Sequence, residues 1–353
     1  MKKNKKIMVM AGGTGGHVFS GLVFAKKLQR RGWKVFWLGS ADRIEADLIP
    51  KQGIEISFIK ISSFSEQGVL NLLKVFFQIF LSIIKTRKYI KSWQPDVVLG
   101  MGGYISGPGG IAAWLSGVPL VLHEQNMVAG LTNKWLAKIA KKVFQAFPGA
   151  FSAAEVVGNP VRAEVTELDF PRDRMKGRIG PIRILVIGGS QGSRILNEIM
   201  PKVMFKLGNG YCVLHQTGRG EQKSVLESYL QADVTQSEVV EFIDNIAQAY
   251  DWADLLISRS GALTISEVLV AGIGAIFIPL THKDCHQVLH AKYLVECGAA
   301  KLIEQSTLTV HALVDEIVML NRELLIEMAS NARKAAKFGA EEIVADAIIA
   351  LAK

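Results

Sequence analysis

Cysteine is scarce: the 353 residues contain three, Cys212, Cys285 and Cys297, with no Cys-x-x-Cys pair. An odd number without that spacing argues against a disulfide framework and for reduced thiols in the cytoplasm. Long apolar runs are missing too, since no uninterrupted stretch reaches the roughly 18 residues that a transmembrane helix needs. The start, Lys2-Lys3-Asn4-Lys5-Lys6, is charged like a signal peptide. Only Ile7 to Ala11 separate it from a run of glycines, which is too short for an export core and the right length for a strand. No Asp-x-Asp occurs, so the paired carboxylates by which many nucleotide-sugar enzymes hold a divalent ion are absent, and phosphate charge must be met by helix starts and backbone amides. His123-Glu124-Gln125-Asn126-Met127 begins like a zincin motif, but Met127 stands at the second histidine position, and the metalloprotease reading falls. Acidic residues are outnumbered 32 to 41 by lysine and arginine, a formal charge of +9. The partners are therefore anionic: nucleotides, phosphorylated lipids, an acidic membrane or nucleic acid, among which charge alone does not choose.

What is abundant is glycine, 33 residues, in a chain that is 49% hydrophobic and long enough for two α/β domains. The stretch Ala11-Gly12-Gly13-Thr14-Gly15-Gly16-His17 follows the apolar run Ile7 to Met10 and opens onto the apolar-periodic segment Val18 to Leu28. It reads as the loop from a first strand into a first helix, where free amides and the helix dipole favour a phosphate. Val18 stands where a dinucleotide fingerprint needs its third glycine, and Leu38 is followed by Gly39-Ser40 rather than a carboxylate, which argues against nicotinamide or flavin. No Gly-Lys-Ser/Thr follows, so the loop is not a Walker motif. His17 stands at a helix start, where the dipole favours a neutral imidazole able to take a proton.

Further strands are expected at Lys34 to Leu38, Ile54 to Ile59, Asp96 to Gly100 and Pro119 to Leu122. Separated by helical stretches, they predict a parallel sheet covered on both faces. Met101 to Tyr104 and Gly107 to Gly110 read as one glycine-rich loop after the fourth strand, and His123 to Asn126 lie at the carboxyl end of the fifth, the edge where such sheets bind ligands. The pattern breaks between Val157 and Pro181, where a domain boundary is expected. Ile182 to Ile187 followed by Gly188-Gly189-Ser190-Gln191-Gly192-Ser193 then repeats the opening strand and glycine loop. Two Rossmann-like domains facing a central cleft are the expected fold. In the second half Tyr211 to His215, Val239 to Phe242, Asp254 to Ser258 and Ala275 to Pro279 read as strands. Arg259-Ser260-Gly261-Ala262-Leu263-Thr264 opens a helix suited to a pyrophosphate, and Glu267 one turn in suits ribose hydroxyls. His282, His286 and His290 recur every four residues, but the loop Pro279 to Asp284 takes His282 off that face, so a polar face is favoured over a metal site.

Val69 to Ile84 holds twelve apolar residues in sixteen, with Asn71, Lys74, Gln78, Ser82 and Lys85 on one helical face. The apolar arc is wider than one packing stripe needs, and Lys85, Arg87, Lys88 and Lys91 follow. Four cations at about 1 kcal/mol each near an acidic bilayer give about a thousandfold tighter binding. A peripheral membrane patch on Val69 to Lys91, centred on Phe76, Phe77 and Phe80, is expected.

Taken together, Gly12 to His17, Gly102-Gly103-Tyr104, His123 to Asn126, Gly158-Asn159-Pro160-Val161-Arg162, Gly188 to Ser193 and Arg259 to Thr264 resemble the peptidoglycan N-acetylglucosaminyltransferases over nearly the whole chain. The resemblance implies the GT-B type of glycosyltransferase fold, with domains 1–162 and 163–340 and a final helix, 341–353, packing back on the first. It implies inverting transfer from UDP-N-acetylglucosamine to the carbon 4 hydroxyl of the muramoyl group of lipid I, at the cytoplasmic face of the inner membrane, forming lipid II. No cofactor, metal or nucleic acid is implied. The donor would lie mainly in the second domain: uracil near Ile243 and Arg162, ribose on Glu267, phosphates at Ser190 and the start of the helix Ala262, Leu263, Thr264, Ile265 and Ser266, and sugar hydroxyls near Gln287. Thr14, Gly15, Gly16 and Asn126 would meet it from the first domain, where the acceptor pyrophosphate is expected at the glycine loops, beside Tyr104. His17 is the expected base and Glu124 the runner-up. Ser20, His286 and His290 depart from the proline, glutamine and asparagine typical of the family; an imidazole at 290 can still donate to or accept from a sugar hydroxyl. A UDP-sugar epimerase and a non-catalytic nucleotide sensor at the membrane are the competing readings.

Overall fold

The computed structural model describes residues 5–60, 69–189, 192–280 and 285–352, with the backbone alone for helix residues 69–75. Two compact units divide them: Met1–Pro160 with Phe338–Lys353, and Val161–Lys337.

In the first unit strands β1 (Lys6–Met10), β2 (Lys34–Gly39), β3 (Glu55–Phe58), β4 (Val97–Gly100), β5 (Leu120–Glu124), β6 (Lys142–Gln145) and β7 (Glu155–Val156) alternate with helices α1 (Gly15–Arg30), α2 (Ile44–Lys51), α3 (Val69–Trp93), α4 (Gly103–Leu115) and α5 (Leu131–Leu136). Among the described residues the sheet has seven parallel strands in the order β3-β2-β1-β4-β5-β6-β7. The order reverses between β1 and β4, so the loops after those two strands, Gly12 to Thr14 and Met101 to Gly102, share the crevice at the carboxyl edge where open sheets bind ligands. Alternation along β1 feeds two cores: Ile7 and Val9 pack with Val18, Leu22 and Leu28 of α1, whereas Met8 and Met10 pack with Ile105, Ala112 and Ala113 of α4.

Short helices α6 (Ala163–Thr166) and α7 (Pro171–Arg174) open the second unit. Then come β8 (Ile182–Ile187), α8 (Arg194–Leu207), β9 (Tyr211–Gln216), α9 (Gln222–Gln231), β10 (Ser237–Val240), α10 (Ile246–Trp252), β11 (Leu255–Ser258), α11 (Ala262–Ala271), β12 (Gly274–Phe277), α12 (His286–Glu296), β13 (Ala300–Leu302), α13 (Val310–Val318) and α14 (Arg322–Ala335). The parallel order β10-β9-β8-β11-β12-β13 reverses between β8 and β11. The second glycine loop and the Arg259 to Gly261 turn flank that reversal. The last helix, α15 (Ala340–Leu351), lies against α1 in the first unit, where Lys27 and Arg31 pair with Glu342 and Arg31 also with Asp346.

Two expectations change, at Gly107 to Gly110 and at Val239 to Phe242. Gly107 to Gly110 are not loop but the middle of α4. The glycines are there for close approach, since a Cβ at Gly109 would overlap Met10 Sδ and one at Gly110 would stand 2.7 Å from Leu136 Cδ2. The strand expected at Val239 to Phe242 ends at Val240, and Phe242 is exposed. On α3 two small polar residues turn inward. Ser82 and Thr86 are 6% and 0% exposed, and Ser82 Oγ donates to Lys60 O, while Phe76, Phe77 and Phe80 are 58%, 62% and 58% exposed. Helix α3 packs on α4 through this inner face, leaving Leu81 and Ile84 outside as well. Ile83, Tyr89, Ile90 and Trp93 of α3 join the core with Ile105, Ala112 and Ala113 of α4, and the aromatic arc faces solvent.

Candidate active site

In the first unit the loop after β1 and the loop after β4 meet around His17. Thr14 Oγ1 lies 2.8 Å from His17 Nδ1. A Cβ on Gly102 would fall 3.2 Å from His17 Nε2 and 3.1 Å from Asn133 Nδ2, and Gly102 has φ +93°, so this seat needs glycine on both counts. The buried Ser106 Oγ accepts from Gly102 N (3.1 Å) and lies 3.0 Å from Met10 O, tying the seat to the end of β1. Burial lowers the His17 pKa below its ordinary value, opposed in part by the Glu124 carboxylate, so the imidazole is neutral near pH 7. Tyr104, on the first turn of α4, is exposed.

Glu124 ends β5, buried and fully engaged. One oxygen accepts from Asn126 N (3.1 Å) and Nδ2 (3.0 Å), the other from Gly130 N (3.2 Å) and Asn133 Nδ2 (2.9 Å). Its neighbours are tied in as well. His123 Nε2–H donates to Gly158 O (2.9 Å), which leaves Nδ1 to accept from Gln125 Nε2 (3.0 Å), while Asn159 Nδ2 donates to Gln125 O (3.1 Å). Burial pushes the His123 pKa down to about 4. The strand-end polar run thus braces the loops above the sheet and fixes Asn126 beside them.

In the second unit the site residues form two groups. Gly188, Gly189, Gly192, Arg259, Thr264 and Gln287 line an open cavity of about 540 Å³ at the β8/β11 reversal. Arg259 Nε donates to Ser193 Oγ (3.1 Å) and Nη1 to Ile278 O (2.8 Å), so the guanidinium is anchored beside the glycine loop. Gln287 Oε1 accepts from Leu280 N (2.9 Å). Helix α11 begins at Ala262, and Ile265 N–H already donates to Gly261 O (2.9 Å); Ile265 and Ser266 are buried, which leaves the amides of the first turn as the ligand-facing donors. The second group is Arg162, Tyr250 and Glu267: Tyr250 Oη donates to Glu267 Oε2 (3.2 Å), and Arg162 Nε lies 3.5 Å from Oε1. Burial raises the Glu267 pKa, countered by Arg162 and the Tyr250 hydrogen bond. Ile243 lines a separate cavity of about 300 Å³ along α10 with Phe242 and Gln248. Ser190 and His282 lie outside the described residues. His290 is 1% exposed, with Nδ1 3.0 Å from Ser260 O, rather than open to the cavity.

Asn133, Arg259 and Ser193 were not singled out from the sequence. Arg259 and Ser193 carried a signal, Ser193 as the end of the second glycine motif and Arg259 as the start of the stretch that opens α11; Asn133, an amide in a short helix, carried none. Among the described residues no group of three or more His, Cys, Asp or Glu side chains is arranged to hold a metal ion.

Two parallel α/β units, each with a glycine loop and a helix start at its strand-order reversal, define a glycosyltransferase of the GT-B type. Residues 7–145 match the N-terminal domain of glycosyltransferase family 28 and residues 183–346 its C-terminal domain, and the chain belongs to that family. A relative from Vibrio parahaemolyticus, 64% identical over 351 residues and 99% of both chains, is a UDP-N-acetylglucosamine--N-acetylmuramyl-(pentapeptide) pyrophosphoryl-undecaprenol N-acetylglucosamine transferase. One of the same name from Vibrio atlanticus is 62% identical over 353 residues and 100% of both chains. The crystal structure of MurG from Acinetobacter baumannii superimposes with a TM-score of 0.89 at 39% identity, covering 98% of this chain and 99% of that one.

Proposed function

We propose a division of labour for the reaction this enzyme carries out, transfer of N-acetylglucosamine from UDP-N-acetylglucosamine to the muramoyl carbon 4 hydroxyl of lipid I to form lipid II. The first unit handles the acceptor and the second the donor. His17 is the general base: with Nδ1–H donated to Thr14 Oγ1, the Nε2 lone pair is left for the attacking hydroxyl. Both Glu124 oxygens already accept two N–H groups each, which favours His17 over Glu124 as base and gives Glu124 the task of bracing Asn126 and supporting the imidazolium as it forms. Attack displaces UDP with inversion, and the charge on the departing diphosphate meets the α11 helix start and Arg259. Glu267 and Arg162 take the ribose and the base side of the nucleotide, with Ile243 at the uracil and Gln287 at the sugar hydroxyls.

The observation that carries this reading is the cavity of about 540 Å³ between a glycine loop, an anchored arginine and a helix start. UDP release is the test, with and without a lipid I analogue. Acceptor-dependent release is expected; release without acceptor, or sugar epimerisation, would favour an epimerase, and no release would favour a nucleotide sensor.

The enzyme sits peripherally on the cytoplasmic face of the inner membrane through α3. Phe76, Phe77, Phe80, Leu81 and Ile84 are exposed on one face, with Lys85, Lys88 and Lys91 continuing it, and no helix of the described residues is long and apolar enough to cross a membrane. Apolar insertion with a cationic rim suits an anionic bilayer. Sedimentation with anionic vesicles should fall at least tenfold in the Phe76→Ser/Phe80→Ser double variant, and unchanged binding by a folded variant would sink the assignment.

A further inference from the structure

Helix α12 carries a buried histidine that takes no part in the steps above. His290 Nδ1 lies 3.0 Å from Ser260 O. A carbonyl only accepts, so Nδ1 carries the proton and donates. Ser260, itself fully buried, donates its Oγ proton to Gln287 O at 2.7 Å, and Gln287 is one turn before His290 on the same helix. The two bonds close a clasp between the turn that starts α11 and the first two turns of α12.

The clasp acts on the donor cavity from behind. In a planar trans peptide the N–H points opposite to the C=O, so holding the Ser260 carbonyl on His290 aims the Gly261 N–H away from α12. Gly261 is the cap of α11 and lines the same cavity as Thr264 and Gln287. The Ser260 hydroxyl meanwhile fixes the backbone of Gln287, whose side chain is steadied by Leu280 N.

We propose that His290 is a positioning residue for the donor: it sets the peptide plane at the start of α11 for the diphosphate and, through Ser260, the backbone that carries Gln287 to the sugar. This rests on the reading of the cavity as the donor's. His290→Leu keeps bulk and removes the Nδ1 donor; the donor KM and the UDP dissociation constant should each rise about tenfold, with kcat and the acceptor KM changed less than twofold. His290→Asn, whose amide nitrogen falls near the imidazole Nδ1, should restore both. Ser260→Ala, which breaks the tie to Gln287 alone, should weaken UDP-N-acetylglucosamine and leave UDP unchanged. Thr264→Val, on the cavity wall, tests the cavity assignment apart from His290. Donor affinity unchanged there overturns the cavity assignment and His290's role with it. Weakened affinity there, with His290→Leu at wild-type affinity or His290→Asn as poor as the leucine, overturns His290's role alone. Should His290→Leu fail to fold, the asparagine and Ser260→Ala results still decide: UDP affinity lost in Ser260→Ala or undiminished sugar-nucleotide affinity would overturn it.

Discussion

In the first unit the loop after β1 lies over carboxylates: Glu45 is buried against Gly12, with Oε1 accepting from Ser40 N at 3.0 Å, and the Glu124 charge acts on His17. In the second unit the matching loop after β8 lies beside the Arg259 guanidinium, fixed to Ser193 and Ile278. The same strand, glycine turn and helix start therefore sit in fields of opposite sign. A cation beside amides suits a diphosphate that must leave with its charge; a carboxylate near a desolvated imidazole suits proton uptake, because it stabilises the imidazolium that burial disfavours. Local sequence sets the loop, and its neighbours from elsewhere in each sheet set its chemistry.

Removing the imidazole tests the contrast most severely. His17→Ala should lower kcat about 10²- to 10⁴-fold with the donor KM little changed, as measured at saturating donor and acceptor. Near-normal turnover would leave the first loop with binding alone and erase the contrast with the second.

Acid separates the units more gently. His123 in the first unit and His215 in the second are buried, and burial lowers their pKa to about 4 and about 3 from 6.5. Both are held neutral by the fold, so the unfolded chain binds the extra proton as the pH falls below 6.5. Their contribution is complete above pH 6.5 and is lost through pH 4 for His123 and pH 3 for His215, on the order of 3 and 5 kcal/mol respectively. Urea unfolding between pH 7.5 and 4.5 should lose stability in both units, and His215→Phe should flatten the slope of the second alone. A pH-independent midpoint would contradict the burial of both rings.

Strands β1 to β5 and β8 to β12 and the first glycine loop were legible because their signal is local, an apolar run, glycines, then helical periodicity; the short β6, β7 and β13 carried no such signal. Gly107 to Gly110 misled for the same reason, since glycine chosen for close packing against Met10 looks like glycine chosen for a turn. His123 to Gln125 could be read as a strand-end polar run, yet their partners Gly158, Asn159 and Asn133 are fixed only by the fold. His290 reads as part of a polar helix face, and only the fold brings Ser260 to it.

Arg259 offers the smallest of these effects and the sharpest use of the comparison. Its two hydrogen bonds to Ser193 and Ile278 leave the rest of the guanidinium at the cavity wall, and burial lowers its pKa. A charge-assisted contact to a phosphate contributes about 1.5 to 3 kcal/mol, so Arg259→Ala should weaken UDP binding roughly 10- to 100-fold by calorimetry. Arg259→Lys keeps the charge but not the fork that reaches Ser193 and Ile278 together, and should recover only part of it. Full recovery by lysine would mean that charge alone distinguishes the second loop from the first; no loss in either variant would mean that the helix start suffices, and that the opposite fields around the two loops do not decide which one holds the nucleotide.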